Sequence, residues 1–356
     1  MRYAAITGWG MAVPERVLTN ADLEKMVDTS DEWILSRTGI RERRIVGPDD
    51  STTSLSVAAS IQALERSGIT SEDLDLIVVA TCTPDQFLVS QACLVQAELG
   101  GKAAAFDLGA ACAGFVYALS TATQFIRAGM YERVLVIGAD TLTRFVDYSD
   151  RSTCILFGDG AGAVVLEATD EPRGTLSTVL GAHGEGYKHL YIPGWGAFVP
   201  ESAGIFPEYR PFLQMNGREV FRFAVTAMGD AAVEAVERAG LEFGDIDMLI
   251  PHQANLRIID AAARRLDLSM EKVWVNLDKY GNTSAASIPI ALCEAEAAGR
   301  VKDDDNLVFV AFGGGLAWGA NVIRWGGIKK KAEQQSSNGV VVEAPLASPV
   351  GAESGA

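Results

Sequence analysis

Ala63-Leu-Glu-Arg-Ser-Gly68-Ile-Thr-Ser-Glu-Asp73-Leu-Asp75-Leu-Ile-Val78 recurs without a gap as Ala235-Val-Glu-Arg-Ala-Gly240-Leu-Glu-Phe-Gly-Asp245-Ile-Asp247-Met-Leu-Ile250. The copies stand 172 positions apart, and Glu65, Arg66, Gly68, Asp73 and Asp75 return as Glu237, Arg238, Gly240, Asp245 and Asp247. Each copy reads as a helix end, a glycine that closes it, a short loop and a buried strand. Two looser echoes follow. Arg133–Gly138 resembles Asn306–Ala311 as a buried strand, and Gly162-Ala163 before Val164–Leu166 resembles Gly319-Ala320 before Asn321–Ile323. Any two α/β segments share apolar strands, but a gapless match that keeps its Gly and Asp positions favours duplication. The chain is therefore predicted to fold as two pseudo-symmetric α/β halves, 1–172 and 173–328. Helix-period stretches at 54–67, 90–99, 113–128, 219–239, 255–266 and 284–298 alternate with buried strands.

Two segments break this pattern. Residues 183–210 are rich in Gly, Pro and aromatics without a clear period, and read as an irregular loop over a site. Residues 329–356 change composition again and read as a disordered tail.

Composition narrows the function. Of 356 residues, 48% are hydrophobic and 21% charged, an ordinary globular balance that argues against a disordered chain. The apolar runs, such as Leu74–Ala80, fall well short of the ~20 residues of a membrane span. The start, Met1–Gly10, lacks the basic, apolar and small-residue regions of a signal peptide, so the expected location is the cytoplasm. The five cysteines (Cys82, Cys93, Cys112, Cys154, Cys293) are odd in number and include no CxxC pair. A disulfide framework or zinc site is not expected; all but Cys112 read as inert core thiols. The net charge of −16 disfavours nucleic acid as a partner.

Chemistry concentrates at three turns. Asp107-Leu-Gly-Ala-Ala-Cys112-Ala-Gly-Phe sets Cys112 among small residues between a strand end and a helix start, where the helix dipole should favour thiolate. His252, one of three histidines, follows the repeated strand in Ile250-Pro-His-Gln-Ala-Asn. Asn282 lies in Tyr280-Gly-Asn-Thr-Ser-Ala-Ala-Ser, read as a strand-to-helix switch. Singly, each has a bland structural explanation. Pseudo-symmetric halves can bring such loops together, and Phe312-Gly-Gly-Gly-Leu adds backbone N–H groups suited to an oxyanion.

These motifs, with Asp28-Thr-Ser-Asp-Glu-Trp-Ile-Leu-Ser-Arg-Thr-Gly-Ile-Arg-Glu-Arg-Arg44 and Phe157-Gly-Asp-Gly-Ala-Gly-Ala163, resemble the β-ketoacyl-acyl-carrier-protein synthase III family from Gly8 to Trp325. The resemblance implies a thiolase-like fold layered α-β-α-β-α. It implies decarboxylative condensation of an acyl-CoA with malonyl-acyl-carrier protein, with no cofactor beyond the CoA thioester substrate and no metal. By the same resemblance, Cys112 is the nucleophile. The backbone N–H groups of Cys112 and Gly314 hold the oxyanion, and His252 (as a neutral donor) and Asn282 stabilise the enolate. Thr29, Trp33, Arg37 and Arg151 match contacts to the CoA nucleotide, and Asn216, Gly217 and Phe221 match the pantetheine tunnel. Phe87 matches a residue that closes the acyl pocket from a neighbouring subunit, which implies a homodimer. Arg222, Arg257, Arg264 and Arg265 match the carrier-docking patch; the last three fall near helical spacing and could share one face.

The chain departs from the family at Leu88-Val89, where many relatives carry a proline, in the length of 183–210, and in the tail. Rival readings are a polyketide-type or hydroxymethylglutaryl-CoA synthase, or an acyltransferase to another acceptor. A dinucleotide-binding protein is disfavoured because Gly8-Trp-Gly10-Met-Ala-Val13 lacks the third glycine. A non-catalytic scaffold need not keep Cys112, His252 and Asn282 together.

Overall fold

The computed structural model describes residues 2–193 and 212–326. The tail and most of the loop expected at 183–210 lie outside the described residues. The first half runs β1 (Tyr3–Ala12), β2 (Val17–Thr19), α1 (Asn20–Leu23), α2 (Asp31–Thr38), β3 (Glu42–Arg44), α3 (Thr52–Ser67), β4 (Leu76–Ala80), α4 (Gln91–Leu99), β5 (Ala104–Leu108), α5 (Gly114–Arg127), β6 (Arg133–Asp140) and β7 (Gly160–Thr169). The second continues β8 (Gly174–Ala182), β9 (Leu190–Tyr191), β10 (Gln214–Met215), α6 (Gly217–Arg238), β11 (Met248–Pro251), α7 (Leu256–Arg265), α8 (Leu277–Tyr280), α9 (Ser287–Ala297), β12 (Asn306–Gly313) and β13 (Ala317–Arg324).

The repeated residues do matching work. Gly68 and Gly240, at φ +69° and +71°, sit at the left-handed exits of α3 and α6. Asp73 accepts from the Thr70 N–H and Asp245 from the Glu242 N–H, each closing a short 3₁₀ turn. Asp75 accepts from the N–H of Glu132 and Arg133, and Asp247 from that of Asn306. Each aspartate thus pins the start of one parallel strand to its neighbour, β4 to β6 and β11 to β12.

The nine main strands are ordered β11-β12-β13-β8-β1-β7-β6-β4-β5, joined between β1 and β8 only through Ala4 and Gly174. Outward from that junction both halves read alike: β1-β7-β6-β4 against β8-β13-β12-β11. The isolated pairing of Leu249 with Val273 stands where β5 stands beside β4.

Three apolar clusters define the layers. Side chains of α5 and α9 share a core with strands of both halves. The other face of the first half packs on α3 and α4, and that of the second on α6 and α7. The order is therefore α-β-α-β-α, as the thiolase-like resemblance implies.

Two glycines let the halves interlock. A Cβ on Gly138 in β6 would lie 2.2 Å from the Ala285 carbonyl oxygen, and one on Gly313 in β12 would lie 2.5 Å from the Cys112 nitrogen. Each half thus lays a turn directly on a strand of the other.

Candidate active site

Cys112 sits in a 3₁₀ turn, Ala111–Ala113, between β5 and α5. Ala111 holds φ +46°, a conformation costly for a residue with a Cβ. This turn lies on Gly313, and Cys112 and Gly314 line one cavity of about 320 Å³. Its apolar wall includes Phe87, Leu142, Phe145, Phe157, Ile192 and Leu213. Cys112 is 7% exposed, and burial pushes its thiol up to about 12. Burial thus works against the thiolate expected from the helix start.

Segment 282–287 ties the three expected residues together. The Asn282 backbone pairs with segment 156–158: its N–H donates to the Leu156 carbonyl and its carbonyl accepts from the Gly158 N–H. Its Oδ1 accepts from the Ser284 N–H at 2.9 Å. The Ser284 hydroxyl donates to Cys112 Sγ at 3.3 Å. Ser287, the first residue of α9, meets His252 Nδ1 at 2.7 Å. His252 follows β11, its N–H bound to the Val310 carbonyl and its ring edge-on to Phe312 at 6.1 Å. Burial lowers His252 to about 3, so the imidazole is neutral. A Ser287 hydroxyl donating to Nδ1 leaves the ring proton on Nε2. Asn282 Nδ2 and His252 Nε2 have no hydrogen-bond partner among the described residues, which leaves two neutral donors for a ligand oxygen. Asn282 does not leave a regular strand, as the sequence suggested; it follows α8 and makes an isolated bridge to Phe157.

The remaining expected residues fall into four groups. Trp33 and Arg37 lie on α2; the guanidinium carbons of Arg37 and Arg151 sit 4.7 and 5.2 Å from the Trp33 ring. Thr29 lies just before this helix, its hydroxyl buried without a partner. Asn216 caps α6, whose first residue is Gly217, and Phe221 one turn on lies under Arg257 at 5.2 Å. Asn255 at the start of α7 donates to the Arg37 carbonyl at 2.9 Å, which joins the two groups. Arg257, Arg264 and Arg265 line one groove of about 720 Å³. Arg222 lines a neighbouring one with His183, Lys188 and His189. This is not a bare basic patch: Arg222 pairs with Glu219, Arg264 with Asp260 and Arg265 with Asp230. Phe87 is 61% exposed and lines the cavity of its own chain.

Sequence reasoning missed Ser284 and Ser287, although both lie in the motif around Asn282. It also took Cys82 and Cys93 for core thiols. Both are exposed residues, and Cys82 lines the cavity beside Cys112.

Comparison with known proteins finds similarity along most of the chain. Residues 106–184 match the family described as 3-oxoacyl-[acyl-carrier-protein] synthase III, and residues 236–325 match its C-terminal part. The chain is 56% identical over 327 residues to the β-ketoacyl-[acyl-carrier-protein] synthase III of Symbiobacterium thermophilum, covering 92% of this chain and 99% of that one. The crystal structure of the Thermus thermophilus synthase III is 50% identical, with a TM-score of 0.85, over 91% of this chain and 100% of that one. The priming β-ketosynthase of the R1128 polyketide pathway is 38% identical, with a TM-score of 0.86, over 91% and 96%.

Proposed function

The chain belongs to the β-ketoacyl-acyl-carrier-protein synthase III family, and from that premise we propose that Cys112, His252 and Asn282 carry its reaction. That reaction is the initiating condensation of fatty-acid synthesis: acyl-CoA and malonyl-acyl-carrier protein give β-ketoacyl-carrier protein, CO2 and CoA. The observation that carries the assignment is the segment 282–287, which contains Asn282, contacts Cys112 through Ser284 and contacts His252 through Ser287.

The chemistry runs in two steps. Cys112 sulfur attacks the acyl-CoA carbonyl, with the Cys112 and Gly314 N–H groups on the oxyanion. Collapse expels the CoA sulfur, which takes up a proton in place of the one Cys112 lost to solvent. Malonyl-carrier protein then binds with its thioester oxygen between His252 Nε2–H and Asn282 Nδ2–H. The bond to the carboxylate breaks, CO2 departs, and its electron pair forms the enolate that these neutral donors stabilise. The enolate carbon attacks the acyl group, and Cys112 leaves as thiolate, which takes up a proton from solvent to restore the thiol. A neutral His252 suits this role, because a donor is needed and no proton has to be given up. The reaction as written needs no metal or redox cofactor.

Trp33, Arg37 and Arg151, with Thr29, take the CoA nucleotide: a planar ring and two guanidinium groups suit a purine and a phosphate. Asn216, Gly217 and Phe221 border the pantetheine, and the acyl chain enters the apolar cavity by Phe87. Arg222, Arg257, Arg264 and Arg265 dock the acidic carrier protein. The two halves meet at 172/173, each supplying part of the site. We assign a homodimer as well. Among the described residues β5 ends the sheet with one side unpaired, and beside the cavity Phe87, Leu88 and Val89 are exposed, which a second copy would cover. No helix among the described residues is long and apolar enough to cross a membrane, and a carrier-protein substrate fits a cytoplasmic location.

Intact-mass analysis of the wild type and Cys112→Ala, with a panel of acyl-CoAs and then malonyl-carrier protein, tests this reading. An acyl adduct on the wild type alone, discharged as β-ketoacyl-carrier protein, is expected. An adduct on Cys112→Ala refutes the nucleophile. A polyketide priming role is the second reading, favoured by the likeness to the R1128 enzyme. Preferential discharge by a polyketide carrier protein would establish it.

A further inference from the structure

The buried thiol of Cys112 must become a thiolate to attack, and beyond the helix dipole the sequence motif assigns no group to help it. Among the described residues, the one side-chain hydrogen bond to its sulfur comes from Ser284, at 3.3 Å. Ser284 is fully buried and held at φ +52°, a conformation that ordinarily favours glycine. Two anchors hold it there: its own N–H donates to Asn282 Oδ1 at 2.9 Å, and the next N–H, of Ala285, donates to Asp140 Oδ2 at 3.2 Å. Strain retained at a fully buried turn and aimed at the reacting atom points to function rather than to packing.

A hydroxyl has one proton to give, and Ser284 lies within reach of two sulfurs, those of Cys112 and Cys82. Asp140 decides between them. Its Oδ1 accepts from the Thr81 and Thr83 hydroxyls, from the Cys82 N–H, and from the Cys82 thiol at 3.3 Å. The Asp140 charge opposes ionisation of both thiols, but among the described residues only the Cys82 thiol donates to it, and a thiol that donates to a carboxylate keeps its proton. Cys82 is thereby held neutral and makes little claim on the Ser284 proton.

We propose that Ser284 is a further catalytic residue, whose hydroxyl donates to the Cys112 sulfur as it becomes anionic, and that Asp140 directs this donation by holding the Cys82 proton. Ser284 acts as a donor and not as a base. Its O–H bond stays intact throughout; the proton lost by Cys112 passes to solvent, and the departing CoA sulfur takes one up, so the exchange balances. The inference rests on Cys112 as the nucleophile, but not on the identity of the acyl donor.

The test is the rate at which iodoacetamide alkylates Cys112, resolved from the other thiols by peptide mass mapping, as a function of pH. Loss of a donor to an anion displaces its titration by roughly one to two pH units. Ser284→Ala should therefore alkylate about 10- to 100-fold more slowly at neutral pH, with its rate–pH curve displaced to the alkaline side. Ser284→Gly should do the same while suiting the positive φ, which guards against a variant that fails to fold. A merely structural role would lower Tm and leave the curve in place. Either variant, folded and with an undisplaced curve, overturns the proposal. Should wild-type Cys112 alkylate normally yet accept no acyl group from any acyl-CoA, the substrate reading fails, and the displacement of the curve still judges Ser284.

Discussion

Replacing Gly313 by alanine tests the joint on which the site depends. The added Cβ would stand 2.5 Å from the Cys112 nitrogen and 3.1 Å from its Cα and Cβ, where ordinary contact begins at 3.4 Å. Strand and turn must part by about 1 Å, an overpacking that costs about 1–3 kcal/mol. The strand cannot easily give. Gly313 is paired with Ala317 in β13, and the rest of β12 is buried along its length. The 3₁₀ turn bearing Cys112 is the softer partner, so the displacement falls on the nucleophile and its N–H. A misplacement of about 1 Å costs on the order of 100-fold in rate. Gly313→Ala is therefore expected to fold, to lose a few degrees of Tm, and to acylate at least about 100-fold more slowly in a single-turnover mass assay. Gly244→Ala is the control, since a Cβ there meets nothing within 4 Å. A Gly313→Ala enzyme that acylates at the wild-type rate would refute the claim that this contact sets the position of Cys112.

Two further outcomes concern the frame around the site. Asp159 is fully buried and surrounded by donors: the N–H of Val46 and Thr143, at 2.8 and 2.9 Å, and the Thr143 hydroxyl. Asp159→Asn turns an NH2 toward an N–H and should cost about 1–3 kcal/mol by urea unfolding. Burial raises Asp159 to about 6 in spite of those donors. The folded state therefore holds more protons than the unfolded state between about pH 4 and 6, and wild-type stability from this group falls as pH rises through that window. The asparagine variant cannot titrate there, so its deficit should narrow from pH 4 to 6; a deficit that widens would contradict the raised value. Arg43 is fully buried and has no carboxylate partner among the described residues. It donates to the Leu18 carbonyl, Asn20 Oδ1 and the Ile155 carbonyl at 3.1, 2.9 and 2.7 Å. Arg43→Met strands three acceptors and should lose more than about 3 kcal/mol in the same assay. Lysine should recover only part of this, because one ammonium cannot span the fork; equal stability of all three proteins would remove the argument.

Much of this arrangement was legible in the sequence because local rules and tertiary demands agree there. The six helix-period stretches match α3, α4, α5, α6, α7 and α9 to within about three residues, and the duplicated Gly and Asp positions hold the same turns and strand starts in both halves. What was not legible depends on distance in space. The state of the Cys112 thiol follows from how much water the opposite half excludes, which no motif states. Cys82 looks like any small apolar residue until its sulfur is found facing Asp140. Ser284 and Ser287 sit in a quoted motif, yet their roles depend on a left-handed turn and on a histidine 35 positions away.

The duplication also accounts for the division of labour. Ala111 and Ser284, at φ +46° and +52°, open equivalent 3₁₀ turns, Ala111–Ala113 and Ser284–Ala286, each leading directly into a helix, α5 or α9. A left-handed residue with a Cβ costs on the order of 1–3 kcal/mol, so it persists only where its surroundings hold it firmly. Here they do, reciprocally: the first turn lies on Gly313 of the second half, and the second on Gly138 of the first. Neither half alone has the strand that its own turn leans on. The two turns have diverged in what they carry, a thiol on one and hydroxyl and amide donors on the other. A reaction that needs a nucleophile and, later, donors for an enolate obtains both where two copies of one bend meet face to face.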